Sequence, residues 1–427
     1  MAGKKIQAQL TPEEKLQQAL VPEAEQPYKV LANWCWLHLL YSFINCTDSN
    51  KKIKQKEYLK EGILPIVDQG KDLIGGFTNN KELAFKGDLP VIIFGDHTRC
   101  VKYVDFNFVQ GADGVKVLKP QIFYNEKLFY YALKNIDIKN LGYRRHFPTF
   151  DQYFVPLPPL DEQQRIVERI ESLFAKLDEA KENLQNVLDG FETRKAAILH
   201  KAFTGELTAN WRKQHGVSMD SWEEKALGKI VKNIKDKYEP TLNNKKCVKY
   251  IGLEHIEKNN GIIGFGSSDD VKSLKTIFEL GDILYGKLRP YLNKHDIAKF
   301  SGICSTDILV YRAEDFNTAK FINYFMNTEK FIFYTVSNSK GINLPRISEK
   351  EISGILVNVP TLSEQSEIVR IIDDLLAKEQ QAKELAENAI TKIDIIKKSI
   401  LARAFRGELG TNNPADEPAV ELLKLVL

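Results

Sequence analysis

Four stretches of the chain interleave cations with aromatic, amide and imidazole side chains: "FGDHTRCVKY" (Phe94 to Tyr103), "LGYRRHF" (Leu141 to Phe147), "YGKLRPYLNK" (Tyr285 to Lys294) and "SKGINLPRI" (Ser339 to Ile347). The chemistry these residues offer is recognition. Lysine and arginine neutralise phosphates, while Arg, Asn, Gln and His hydrogen-bond base edges. Gly and Asn in the same stretches let a loop approach a groove closely. For any single residue a solvated loop is the plainer reading; four such stretches in two matched parts of the chain point to nucleic acid.

Reactive chemistry is missing. "GDILYGK" (Gly281 to Lys287) fits G-x-x-x-x-G-K, but Leu288 stands where the magnesium-binding Ser or Thr of a phosphate loop belongs, and Ile283, Leu284 and Tyr285 read as a strand. "GFG" at Gly264 to Gly266 lacks the third glycine of a dinucleotide site, and the seven histidines form no HExxH and no His/Cys ligand cluster. No nucleophile motif stands near Asp96, His97 and Thr98. Cys35, Cys46, Cys100, Cys247 and Cys304 include no CxxC pair, and their odd count suits free thiols in a reducing cytoplasm. No stretch approaches the ~18 apolar residues of a membrane helix, and the leading residues lack the apolar core of a signal peptide. We expect a cytoplasmic protein that binds rather than reacts. Its formal net charge of +3 over 427 residues requires any basic surface to be local.

The recognition loops must be carried by something, and the carrier announces itself as a repeat. "VPLPPLDEQQRIVERIESLFAK" from Val155 returns as "NVPTLSEQSEIVRIIDDLLAK" from Asn358, with Val155 matching Val357 at an offset of 202 residues. The same offset, without a gap, lays "AILHKAFTGEL" (Ala197 to Leu207) on "SILARAFRGEL" (Ser399 to Leu409). Length is kept while the middle diverges, as in a ruler. Apolar residues between these ends follow a heptad seam: Ile166, Ile170, Leu173, Leu177, Ala180, Leu184, Val187, Phe191 and Ile198 in the first copy. In the second copy they are Ile368, Ile372, Leu375, then Glu379, Ala382, Ala386, Ala389, Ile393, Ile396 and Ile400.

Each copy predicts a helix of about forty residues, on the order of 60 Å long. Pro158, Pro159 and Pro360 precede the helices, Asp161 and Ser363 are the expected N-caps, and Gly205 and Gly407 mark the ends. Small residues in one seam facing large ones in the other predict one intramolecular antiparallel coiled coil, against the plainer reading of two separate amphipathic helices. The parts before each helix carry short β-rich runs such as "LPVIIF" (Leu89 to Phe94) and "DILVYR" (Asp307 to Arg312) and look like diverged copies. Each opens near a Trp followed by a Leu (Trp34 and Leu37, Trp222 and Leu227) and has a central Gly-Asp (Gly87-Asp88, Gly281-Asp282).

With "PLPPLDEQQRIVERI" and "VPTLSEQSEIVRII" at the helix starts and "KAFTGEL" and "RAFRGEL" at the ends, the chain resembles the specificity subunit (HsdS) of type I restriction-modification systems. "LTPEEKLQQALVPEAEQPYKV" (Leu10 to Val30) also looks like that family's N-terminal arm. The resemblance implies an α+β fold: two mixed α/β target-recognition domains separated by the two long helices, in a pseudo-two-fold repeat. The expected layout is an arm at 1–27, a recognition domain at 28–155, a spacer helix at 156–211, a second recognition domain at 212–357, a second spacer helix at 358–410 and a tail at 411–427.

By the same resemblance, each domain reads one half of a bipartite double-stranded DNA target, and the helices set the spacer and dock two modification (methyltransferase) subunits. S-adenosylmethionine, ATP and Mg would belong to those and to the restriction (motor and nuclease) subunits, with no cofactor, metal or catalytic residue on this chain and no membrane partner. Base-reading residues vary within the family and are not transferred by any motif. Our candidates for DNA contact are Lys71, His97, Arg99, Arg144 and Arg145 in the first domain and Lys287, Arg289, Asn293, Lys294, Asn343 and Arg346 in the second. Glu162, Gln163, Glu364 and Gln365 are read as capping or subunit-contact groups. The alternative is a coiled-coil adaptor with two protein-binding heads and no DNA role.

Overall fold

The structure, a computed structural model, describes residues 11–240 and 248–426; Cys247, the first ten residues of the arm and the last residue of the tail lie outside them. The chain divides into two units, residues 1–183 with 389–427, and residues 184–388.

In the first unit, apolar runs bounded by turn residues pair into two four-stranded sheets. One has the order Phe43–Asn45, Val115–Pro120, Val91–Gly95, Val101–Val104; the other runs Lys52–Ile53, Val109–Gly111, Leu64–Val67, Gly76–Thr78. The helix Glu126–Asn135, capped by the Asn125 side chain, covers the first sheet with Leu128, Phe129 and Leu133. Strand Cys35–His38, which follows Trp34, pairs antiparallel with Phe154–Leu157, Cys35 opposite Leu157, and so closes the head at the start of its long helix. The core then continues past the head. Ile166 and Ile170 from the helix start, Leu401, Ala404 and Phe405 from the far end of the second long helix, and Ala419 and Leu423 of the tail join Phe94, Phe129 and Phe150 in one buried cluster.

The second unit repeats the plan. A four-stranded sheet (Lys232–Ile234, Ile308–Arg312, Ile283–Gly286, His295–Ile297) stands with a five-stranded one, and Glu223–Ala226 pairs antiparallel with Leu356–Val359. Here Leu199 and Ala202, from the end of the first helix, meet Ile368, Val369 and Ile372 from the start of the second, under Tyr285, Tyr311, Phe321 and Phe331. Positions related by the 202-residue offset thus fill the same place in each core. Within "GDILYGK", Ile283–Gly286 is a buried central strand rather than a loop, and the Asp282 carboxylate is bound by Arg312 through two 2.8 Å hydrogen bonds.

The helices depart from expectation in three respects. They begin at Leu160 and Leu362, so Asp161 and Ser363 lie inside the first turn; Pro159 accepts from Gln163 N–H, and the Thr361 hydroxyl accepts from Glu364 N–H at 3.4 Å. The second helix is continuous over Leu362–Ala404, whereas the first is interrupted at Gly190 into Leu160–Asp189 and Phe191–Phe203. Hydrogen bonds from Gly190 N–H to Asn186 and from Arg194 N–H to Gly190 bridge the break, because glycine loosens the helix without removing a donor. Finally, the seams are not uniformly buried: Ala180 and Ala382 are exposed, as are Val187 (39%) and Ile396 (44%).

Contacts between the two helices within each unit are antiparallel. In the first unit, Lys397 binds Asp178 and lies over the Phe174 ring, while Lys181 reaches Asp394 at 3.3 Å. In the second, Arg194 binds Glu379 at 2.8 Å and Lys383 lies over Phe191. Exposed pairs of this kind contribute little energy and mainly select register.

Gly205 and Gly407 end the helices in the left-handed region, at φ +80 and +74. A Cβ at Gly407 would stand 2.4 Å from Leu31 Cδ1. Gly407→Ala is therefore expected to destabilise the chain by about 1–3 kcal/mol, from backbone strain and the displaced Leu31 together. A lowered denaturation midpoint in urea checks this.

Candidate nucleic-acid interface

Both heads build the same surface from the same two parts, a turn that ends a central strand and the connection that leads to the closing strand. In the first unit, strand Val91–Gly95 runs into the turn holding His97 and Arg99. His97 Nδ1 donates to the Tyr143 carbonyl at 3.1 Å, and its backbone N–H donates to Gln69 Oε1 at 3.2 Å. Buried Asp96 draws in the same connection: its carboxylate accepts from Phe147 N–H at 2.7 Å and its carbonyl from His146 Nδ1 at 2.8 Å. Gly114 completes the packing, at φ +79, where a Cβ would meet His97 Cδ2 at 2.7 Å. Three chain segments distant in sequence, around residues 69, 97 and 143, thereby form one face.

Strand Ile283–Gly286 plays the same part in the second unit. The Ile347 N–H donates to the Lys287 carbonyl at 3.0 Å, Arg289 N–H donates to the Pro345 carbonyl at 2.7 Å, and Lys340 and Arg346 exchange both backbone hydrogen bonds. "YGKLRP" and "LPRI" are thus neighbours. Arg99 and Arg289, which follow equivalent strands, both adopt positive φ, +61 and +52. Left-handed backbone at an arginine carries a cost of order 1 kcal/mol that a bracing environment must hold.

The candidates fall into two groups. Lys71, Arg144, Arg145, Arg289, Asn343 and Arg346 are exposed, and His97 and Lys287 are half-buried beside them. Arg346 also lies 3.5 Å from the Asp307 carboxylate. The other three have internal duties. Arg99 Nη1 donates to the Ile138 carbonyl at 2.9 Å, and Lys294 Nζ donates to the Leu253 carbonyl at 2.8 Å.

Asn293 corrects our expectation. It is 6% exposed, and its amide donates to the Met326 carbonyl at 3.0 Å and to His295 Nε2 at 3.2 Å, so it serves the interior and faces no groove. The helix-start residues also need correction. Glu162, Gln163, Glu364 and Gln365 are at most 3% exposed and so present no surface to a partner. Glu162 accepts from Trp34 Nε1 at 2.7 Å, and Glu364 from Trp222 Nε1 at 3.0 Å and Thr208 Oγ1 at 2.7 Å. Gln163 donates to the Phe123 and Pro158 carbonyls, and Gln365 to that of Pro360.

Reading from sequence missed four residues of these faces: Gln69, Lys340, and the apices Tyr143 and Ile342, which are 98% and 99% exposed. The apices lay inside quoted stretches but carry no cation to attract notice. Among the described residues, no group of three or more His, Cys, Asp or Glu is placed to hold a metal, and no helix is long and apolar enough to cross a membrane.

Residues 42–189 and 219–390 match the family described as the type I restriction modification DNA specificity domain. The Escherichia coli type I restriction enzyme EcoDI specificity subunit is 32% identical over 287 residues, covering 62% of this chain and 64% of that protein. The Salmonella potsdam StySPI specificity subunit is 29% identical, over 63% of this chain and 60% of its own length. This chain therefore matches less than two thirds of the length of either relative. In fold it is similar to the HsdS subunit from Thermoanaerobacter tengcongensis, with a TM-score of 0.59 and 16% identity over 90% of this chain and 100% of that one. A chain from a structural study of assembly and conformational transition in the type I R-M system gives a TM-score of 0.63 at 16% identity, with the same coverage.

The Asn293 and His295 pair makes a pH prediction. His295 donates from Nδ1 to Asn323 Oδ1 at 2.7 Å and accepts at Nε2, an arrangement only the neutral ring satisfies, and burial lowers its pKa from 6.5 against the opposing pull of Asn323. A depressed histidine contributes stability that is complete above its ordinary pKa and is lost as pH falls below it. Stability should decline by up to about 1.4 kcal/mol per pH unit between about pH 6.5 and the lowered value, and His295→Gln should flatten that slope in denaturation midpoints measured across the range.

Proposed function

We propose that this chain, which belongs to the type I restriction modification DNA specificity domain family, is the DNA-recognition subunit of a restriction and methylation complex and carries no catalytic chemistry of its own. The observation that carries the reading is the recurrence of one loop construction on both heads, each presenting exposed cations. Each face would take one half of a split double-stranded target, with Lys71, His97, Arg144 and Arg145 at one half and Lys287, Arg289, Asn343 and Arg346 at the other. Arg99 and Lys294 support their loops through their bonds to the Ile138 and Leu253 carbonyls.

The finer parts of the proposal follow the sequence layout. Residues 28–155 and 212–357 are the recognition domains, between an arm at 1–27 and a tail at 411–427. The helical segments 156–211 and 358–410 pair along their length as an antiparallel coiled coil and gauge the unread spacer. They also dock two modification subunits, which hold S-adenosylmethionine, while restriction subunits use ATP and Mg. The complex works in the cytoplasm. The antiparallel contacts inside each unit, and helices kept at equal offset, support the gauge.

Methylome sequencing of cells carrying this gene with a modification subunit, against cells lacking it, should reveal a split motif modified in two short halves around a fixed gap. No new motif despite a demonstrated complex would overturn the reading. Arg289→Ala should weaken binding at one half-site only, by about 5- to 100-fold, and should flatten the fall of log affinity with log salt if the side chain meets a phosphate. Inserting one heptad after Leu184 should lengthen the preferred gap or abolish binding; an unchanged gap would count against the gauge.

A further inference from the structure

Each head ends its candidate face in an uncharged, almost fully exposed apex, aliphatic in the second unit and an amphipathic tyrosine in the first. Ile342 is 99% exposed at the tip of the connection 338–347, and Tyr143, 98% exposed, occupies the corresponding connection of the other unit. Each follows a glycine in the left-handed region, Gly341 at φ +109 and Gly142 at φ +66. A lone exposed apolar side chain is ordinary on a protein surface. An aliphatic apex on a braced connection otherwise carrying charge is not, and the other unit sets the ring of a tyrosine at the corresponding point.

The backbone under Ile342 is braced. Lys340 and Arg346 exchange backbone hydrogen bonds of 2.9 and 2.8 Å across its base, Arg289 N–H holds the Pro345 carbonyl, and the Leu344 carbonyl lies 3.1 Å from where a Gly341 Cβ would stand. A held loop presents its apex in one place, which is what discrimination between similar surfaces requires. Lys340, Asn343 and Arg346 on the same connection, and Arg289 bonded to it through the Pro345 carbonyl, supply groups suited to phosphates and base edges. An aliphatic side chain set down among them in a groove can make only apolar contact. In the major groove the apolar feature of a base edge is the thymine C5-methyl group.

We propose that Ile342 is a specificity-determining residue that seats against the methyl group of a thymine in the half-site read by the second unit. The proposal rests on the DNA-recognition reading above. Tyr143 occupies the equivalent position towards the other half.

The test uses the full chain in complex with its modification subunit and duplexes bearing the split target found by methylome sequencing, with thymines replaced one at a time by uracil, which lacks only the methyl. The wild type should lose about fourfold in affinity at one thymine, within the half affected by Arg289→Ala, as expected for one buried methyl-sized group. Ile342→Ser should bind the thymine and uracil duplexes equally and keep the wild-type salt dependence, while Ile342→Val should retain the preference. Uniform indifference of the wild type to uracil in that half, a half with no A·T pair, or a preference that survives in Ile342→Ser would overturn the contact. Absence of any sequence-selective binding by the wild type would instead defeat the recognition reading itself.

Discussion

A buried carboxylate at the start of each long helix holds its unit together. Glu162 and Glu364 are both 0% exposed, a position that costs several kcal/mol for a charge unless donors compensate it. In each unit the donors come from two parts of the chain remote from the helix start. In the first unit they are the indole of Trp34, at the mouth of the head's first strand, and the hydroxyl of Thr411, beyond the end of the other long helix. In the second they are Trp222, Thr208 and Arg212. Burial raises the Glu162 pKa, and the bonds from Trp34 and Thr411 oppose that rise. One side chain therefore joins head, helix start and the segment that follows the opposite helix, and neither head can shift on its helix without exposing or stranding a carboxylate.

Around that joint, the apolar work is shared in the same pattern. Ile166 and Ile170 pack with Leu401 and Phe405, while Ile368 and Ile372 pack with Leu199 and Ala202. Each core thus needs the beginning of one helix and the end of the other, which explains why the two helical segments keep a constant length while their middles vary. Between those ends, exposed ion pairs such as Lys181–Asp394 contribute little energy and leave the sequence freer to vary.

The recognition faces follow a different economy. In the second unit the connection is attached to the strand turn through backbone groups, Ile347 N–H to the Lys287 carbonyl and Arg289 N–H to the Pro345 carbonyl, so the side chains of Lys287 and Arg289 take no part in the attachment. The first unit spends side chains on the same attachment: His97 and Asp96 hold Tyr143, His146 and Phe147. The two heads reach one geometry by different chemistry, as expected where the scaffold must persist and the surface must differ.

The linear order of residues was enough to determine the repeat, the approximate helix lengths and most of the stretches from which the candidate faces are built. These are legible because periodicity, spacing and glycine placement are local properties of a chain. Tertiary structure alone decided which members of those stretches face outward. Asn293 and Arg346 are both polar residues in basic, glycine-bearing stretches, yet one is buried against Met326 at the end of the helix Phe316–Phe325 and the other is exposed beside Asp307. The same holds for Glu162 and Glu364, whose spacing fits a cap or a surface contact equally well and whose burial follows only from a tryptophan brought in from far along the chain. Exposure depends on what packs from elsewhere, and no local pattern of residue types encodes it.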